Sequence, residues 1–286
     1  MALFQLFEGQ IDKISLQKLL FLFTKRQTKA DYDFIPYLYG CYSYSAKADL
    51  MAMVNKGILS ETTNRFTKID TTDYIKTLKE EDRNLLQETK LQYGNMTVNA
   101  LMKHSYLYFP YWAINSKKAK EILSPEQLEK VNNSRPKGHK TVLFTIGYEG
   151  ISLEEYLNRL LKNDIKVLVD VRCNPLSMKF GFSKSQLRRY CENSGILYAH
   201  FPEVGIQSEL RQKLNTQADY DNLFADYRDN NLTKTAASQE KILNLLKEHK
   251  RIALTCFEAN IYQCHRKHLA EAIAGLPSFE YEVKHI

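Results

Sequence analysis

The chain has 286 residues, enough for two domains of ordinary size, and 44% of them are hydrophobic, enough to fill two cores. No apolar run reaches the roughly eighteen residues that a membrane-spanning helix needs, and the first residues lack the charged-then-apolar pattern of a secretory leader, so a cytoplasmic protein with no membrane partner is expected. A net charge of +7 favours polyanionic partners such as nucleic acid without requiring them.

Leu16, Leu19, Leu20 and Phe23 fall on one helical face, and Ser15 reads as the N-cap. A tyrosine-rich stretch follows, from Tyr32 to Ser45. The pattern predicts a second helix over 46–56, ended by Gly57, then β-runs at 58–62 and 66–69 around a turn. Helix, helix, hairpin is the order of a winged helix. Residues 72–93 are charged and helical, 97–106 form a further helix, and Ser124-Pro125 opens a short one with Ser at the N-cap and Pro at N1. The polar, basic segment 132–140, with its Pro and Gly, is the linker. Three segments result: a mainly helical, winged-helix-like domain over 1–131, the linker, and a second domain over 141–286.

Leu16-Gln-Lys-Leu-Leu, Phe34 with Tyr39-Gly-Cys-Tyr-Ser-Tyr-Ser45, Asp49-Leu, Gly57-Ile-Leu and Met102 to Tyr111 resemble the bacterial winged-helix-like domains of the YwgA and Panacea types. The usual Gly-Pro-Tyr-Ser of those domains reads Gly40-Cys41-Tyr42-Ser43 here. The resemblance implies a toxin–antitoxin or phage-defence setting and a nucleic-acid or protein partner. Lys25, Arg26, Lys29 and Lys47 are the candidate nucleic-acid contacts. The tyrosines offer either a base-stacking surface or a core of amphipathic rings; the core is favoured for most.

From residue 141 strand and helix signals alternate. Strands are predicted at 142–146, 165–171, 196–200 and 251–255, with a weak fifth, edge strand at 279–285. Ser152-Leu-Glu-Glu155 and Ser183-Lys-Ser-Gln186 read as capping boxes, helical segments start near Thr216 and Thr235, and a last helix runs from Tyr262 to Ala274. Repeated βα units make a Rossmann-like α/β fold, a mostly parallel sheet with helices on both faces. Each strand is followed by polar residues: Gly147 and Tyr148; Asp170, Arg172 and Asn174; His200 and Glu203; Cys256 and Glu258. Parallel strands put these ends on one sheet edge, where such folds hold ligands.

Thr145-Ile-Gly-Tyr-Glu-Gly, Leu168-Val-Asp-Val-Arg-Cys-Asn-Pro175, Tyr198-Ala-His-Phe-Pro-Glu-Val-Gly205 and Cys256-Phe-Glu with Cys264-His-Arg266 resemble, in order, the signature blocks of the family catalogued as domain of unknown function 488. The resemblance implies the fold and the place of the site, and says little about a reaction.

Several chemistries stay open. Arg172 and Arg266 are candidates for phosphate or carboxylate recognition, or for internal pairing with a carboxylate. Asp170, Glu203 and Glu258 are candidates for a carboxylate cluster with one raised pKa. Cys256, followed by His265 and Arg266, is a candidate nucleophile, but the arginine lies ten residues on and fits no standard thiol cradle. Five cysteines, at 41, 173, 191, 256 and 264, read as free thiols rather than staples. A metal at Cys256, Cys264 and His265 is disfavoured, because the spacing matches no zinc pattern and neighbours on a helix diverge by about 100°; no cofactor is expected. Gly147, Tyr148, Asn174, His200, Cys264 and His265 complete the expected ligand-binding set. Walker, GxGxxG, HExxH and GxSxG motifs are absent. The expected function is a nucleotide- or nucleic-acid-directed enzyme of a bacterial defence or nucleic-acid-processing system. The alternatives are a ligand-sensing DNA-binding regulator without catalysis, or a protein-interaction module of a toxin–antitoxin-like complex.

Overall fold

The computed structural model describes residues 1–211 and 214–286. The chain divides into two compact units, Met1–Arg135 and Pro136–Ile286, with the division inside the segment 132–140.

The first unit is mainly helical. Its elements are α1 (Ala2–Leu6), β1 (Gln10–Asp12), α2 (Lys13–Thr24), β2 (Ile35–Tyr37), β3 (Gly40–Tyr42), α3 (Tyr44–Asn55), β4 (Leu59–Glu61), β5 (Arg65–Lys68), α4 (Glu80–Tyr93), α5 (Val98–Tyr108), α6 (Ala119–Ile122) and α7 (Pro125–Asn133). The helix–helix–hairpin order is α2, α3, β4–β5. The hairpin gains a third antiparallel strand, β1, which pairs Ile11 with Phe66. That strand moves the start of α2: Asp12 is the N-cap, and Ser15 lies inside the helix, buried. Three residues are too few for their polar–apolar–polar alternation to register as a strand signal, so β1 is invisible to pattern reading.

The tyrosine-rich stretch folds as the short hairpin β2–β3, turned at Gly40 with φ +91°. The Tyr37, Tyr42 and Tyr44 rings pack edge-on or tilted, 5.1–5.7 Å apart. Tyr44, Tyr93 and Tyr106 are buried, and the Tyr106 hydroxyl meets Ser116 Oγ at 2.7 Å. Three of the four basic candidates are already engaged: Lys25 lies over the Trp112 ring at 4.3 Å, Arg26 pairs with Glu88, and Lys47 pairs with Glu61 at 3.0 Å. Lys29 is exposed.

Lys18 is buried on α2, its Nζ donating to the Cys41 carbonyl at 2.8 Å. Burial pulls its pKa below the ordinary lysine value, with Cys41 acting the other way. The unfolded chain therefore binds more protons than the fold between the lowered value and the ordinary one, and stability contributed here rises with pH across that window. Lys18→Met is expected to remove this rise. Urea midpoints measured for both proteins between about pH 7 and 9.5, below ordinary tyrosine ionisation, check it; parallel pH profiles would count against the assignment.

The second unit contains β6 (Val142–Gly147), α8 (Leu153–Lys162), β7 (Val167–Asp170), α9 (Lys184–Asn193), β8 (Leu197–His200), α10 (Gln217–Asp226), α11 (Ala236–His249), β9 (Arg251–Cys256), α12 (His265–Ala274) and β10 (Glu282–His285). All five strands are parallel, in the order β10-β6-β9-β7-β8. This is the expected α/β layout, with the weak fifth strand at the edge. Successive side chains on a strand face opposite ways. Leu143, Val167, Val169, Ile252 and Leu254 pack with Ile242, Leu246, Leu269 and Ile273 of α11 and α12. On the other face α8 covers the sheet, and the Tyr156 hydroxyl donates to Thr255 Oγ1 at 2.8 Å. The connection from β6 runs two places along the sheet to β7, while that from β9 runs two places the opposite way to β10. Loops that part in this way open a crevice at the C-terminal ends of the strands.

Candidate active site

The strand register aligns the polar ends. Gly147 of β6 lies opposite Cys256 of β9, Asp170 of β7 opposite Thr255, and Asp170 opposite His200 of β8.

Asp170 is fully buried and accepts four bonds. Its Oδ1 takes the Arg172 backbone N–H at 3.1 Å and Nε at 2.8 Å; its Oδ2 takes Arg172 Nη2 at 2.5 Å and the Tyr198 hydroxyl at 2.6 Å. Arg172 Nη1 donates to the Tyr148 hydroxyl at 2.7 Å and the Phe182 carbonyl at 2.9 Å. Burial opposes the guanidinium charge, but the bidentate bond and charge of Asp170 outweigh it and push the Arg172 pKa up. Of the two expected roles for Arg172, the geometry shows the internal pair. His200 Nε2 lies 2.9 Å from the Arg172 carbonyl, which only accepts, so Nε2 carries a proton and Nδ1 accepts from Lys184 Nζ at 2.8 Å. Tyr148 stacks on Phe182 at 4.2 Å, and burial raises its pKa.

A second group sits where β9 ends. Cys256 Sγ donates to Glu258 Oε2 at 3.1 Å and lies 3.6 Å from His265 Nδ1. His265 Nε2 donates to the Val171 carbonyl at 3.0 Å. One donor atom from each of Cys256, Cys264 and His265 falls within 4.8 Å of the others, and all three residues are buried. Burial, with Cys256 beside it, drives the Cys264 thiol well up. The expected divergence of Cys264 and His265 does not arise, because α12 starts at His265 and Cys264 is its extended N-cap, at φ −132°, ψ 131°. Arg266 is turned inward: its guanidinium donates to the Glu258 carbonyl, and to the Ala259 carbonyl at 3.3 Å. A Cβ on Gly147 would stand 2.0 Å from the Glu258 carbonyl oxygen, so only glycine lets the β9 loop close against β6.

The three expected carboxylates are held apart in partnership. Asp170 serves Arg172, Glu258 serves Cys256, and exposed Glu203 accepts from Ser238 Oγ at 2.5 Å. Two recesses open on this edge. One, of about 290 Å³, is lined by Tyr148, Arg172, Asn174, Ser177, Cys256 and His265, with Leu176, Met178 and Phe257 among its walls. Those last three side chains are exposed although apolar. The other, of about 380 Å³, contains Glu203 with Asn230, Asn231 and Lys234. Cys173 and Ile206 line both.

Ser183 and Gln186 do not form a capping box. The Ser183 hydroxyl ties to the backbone of Ser177 at 3.2 and 3.0 Å, and Gln186 Oε1 accepts from the Gly181 N–H at 3.2 Å. They brace the loop after β7 that carries Leu176 and Met178. Pattern reading missed Cys173, Phe182, Tyr198 and Phe257 as parts of this edge. Three of them stand inside quoted signature blocks, so adjacency to Arg172, His200 and Cys256 was the available signal; Phe182, ten residues from its arginine, had none.

The family model described as Domain of unknown function DUF488 matches residues 152–273, from the N-cap of α8 into α12. The span takes in Asp170, Arg172, Cys256, Cys264 and His265. No curated protein and no solved structure gives a significant match to the chain.

Proposed function

We propose that the DUF488 unit is an enzyme acting on a nucleotide or on a modified base in nucleic acid, with the Cys256–His265 crevice as its centre. One observation carries this reading: a buried thiol and imidazole form the inner wall of a recess whose mouth is made of exposed Leu176, Met178 and Phe257. Grouped apolar exposure marks a binding surface, and flat bases stack on aromatic side chains such as Phe257. Asn174 and Ser177 stand in the same recess with amide and hydroxyl groups suited to a base edge. Four of the five Arg172 N–H donors are committed to Asp170, Tyr148 and Phe182, which supports recognition of the base rather than of phosphate. In this reading the winged-helix-like unit brings nucleic acid or a partner protein.

A panel of nucleosides, nucleotides and base-modified oligonucleotides tests it by equilibrium binding and product analysis. Phe257→Ala is expected to weaken the bound class about tenfold, in keeping with roughly 1–3 kcal/mol for a lost stacking partner. Cys256→Ser is expected to leave binding in place and abolish turnover. If no member of the panel binds the wild-type protein at millimolar concentration, the reading fails.

A further inference from the structure

We infer that Cys256, Cys264, His265 and Glu258 form a binding site for a single zinc-type cation at the inner wall of the crevice. The inference deepens the proposal above and takes its catalytic meaning from it, but the site stands on its own geometry.

Two thiols, an imidazole and a carboxylate are the donors that select a borderline-soft d-block cation over calcium or magnesium. With metal–sulfur bonds of about 2.3 Å and metal–nitrogen bonds of about 2.0 Å, tetrahedral ligand atoms sit roughly 3.4–3.8 Å apart. Cys256 Sγ and His265 Nδ1 are 3.6 Å apart, and the three donor atoms of Cys256, Cys264 and His265 lie within 4.8 Å of one another. Small rotations of the side chains close that set around an ion. Glu258 lies outside that three-residue set, but its Oε2 is 3.1 Å from Cys256 Sγ, so its carboxylate is the candidate for the fourth position.

The surroundings are also those of a metal centre. A ligating histidine donates its distal N–H to a carbonyl or carboxylate, which fixes the tautomer and aims the other nitrogen at the ion. His265 does this through Nε2 to the Val171 carbonyl at 3.0 Å, leaving Nδ1 toward the thiols. Two thiolates and a carboxylate around a dication leave one negative charge. Arg266 is 2% exposed, its guanidinium bonded to the carbonyl of Glu258, and its positive charge acts on Cys264. Ligand charge and buried counter-charge then match, which resolves an otherwise costly gathering of buried ionisable groups. Backbone geometry supports the set: the extended N-cap conformation of Cys264 turns its thiol toward that of Cys256 before the helix begins.

Cys256 and His265 line the crevice, so an ion held there is reached from it. Exchange of Glu258 for water or for a substrate atom would open the fourth position, as in catalytic zinc centres with three protein ligands.

The test is elemental analysis of full-length protein purified without chelators or a metal-affinity tag. The expected result is one zinc per chain, and cobalt substitution is expected to give thiolate-to-metal charge-transfer absorption. Cys264→Ser and His265→Gln are expected to lose both signals while circular dichroism shows a folded chain; Cys173→Ser, outside the donor set, keeps both. Folded wild-type protein that takes up no zinc at micromolar concentration overturns the inference. So does a Cys256–Cys264 disulfide found by mass spectrometry in metal-free native protein. The two proposals fail separately: a metal-free protein that still turns over a nucleotide leaves the function standing, and a zinc-loaded protein that binds no panel member leaves the site standing.

Discussion

Asp170→Asn is expected to destabilise the protein by about 3–5 kcal/mol, the range seen when one member of a buried ion pair is removed. Asp170 is fully buried and Arg172 nearly so, and every oxygen–nitrogen contact between them is within hydrogen-bond range. The amide keeps one acceptor and loses the charge, so a desolvated guanidinium remains with neutral partners only: the amide oxygen, the Tyr148 hydroxyl and the Phe182 carbonyl. Urea unfolding of the two proteins measures the difference; a loss below about 1 kcal/mol would place the pair in the class of solvent-exposed bridges. Removing both charges with Asp170→Leu and Arg172→Met should recover much of the stability, because the cost lies in the orphaned charge rather than in the missing bond. The double variant also separates scaffold from chemistry: stability returns, while ligand binding does not if the loop after β7 depends on Arg172.

Gly147→Ala is expected to cost at least the 1–3 kcal/mol typical of overpacking and to disable the crevice. The added Cβ meets backbone, at 2.0 Å from the Glu258 carbonyl oxygen and 2.8 Å from its carbon, and no flexible side chain can yield. The β9 loop hangs there from the Tyr148 and Glu149 N–H groups, which donate to the Phe257 carbonyl at 3.0 and 2.9 Å. Moving it shifts Glu258 away from Cys256 and Phe257 away from the mouth. Gly275→Ala is the control, since a Cβ there makes only ordinary contacts of 3.4 Å or more with backbone oxygens of its own helix. Unfolding midpoints and Cys256 alkylation rates for the three proteins check the pair of expectations. A Gly147→Ala protein with wild-type values for both would mean that the β6–β9 loop contact is dispensable.

The α/β unit was legible in the sequence because its signals are local. Val142–Ile146 and Ile252–Leu254 are unbroken apolar runs, and Ser152 caps its helix as written, accepting from the Glu155 N–H at 2.9 Å. The polar strand ends followed from parallel pairing alone. Strand order did not follow, because nothing in the Arg251–Cys256 run encodes that it enters between β6 and β7. The site was legible as a location and less so as an arrangement. Whether Arg172 meets a ligand or Asp170 depends on two residues of loop geometry, and the relation of Cys264 to His265 depends on where a helix begins. Moving that start from Tyr262 to His265 takes Cys264 out of the helix and turns a diverging pair into a converging one. In the first unit, the short strand β1 displaced an N-cap for the same reason: long-range pairing decides a boundary that local propensity leaves open.

The position of β9 in the sheet has a consequence for biosynthesis. Val142 pairs with Arg251, so the central ladder joins residues 109 apart. At roughly 5–20 residues per second, the ribosome needs about 5–20 s to make that interval. During that time β6 and β7 have no neighbour between them, and their apolar faces wait for a partner, while the mainly helical first unit has already emerged. Cys256, Cys264 and His265 are among the last residues of this sheet edge to be made, so these two thiols appear only when the wall that buries them is ready to close. Chains halted before β9 would carry the exposed sheet edges that chaperones and proteases recognise, and would lack the Cys256–His265 wall of the crevice.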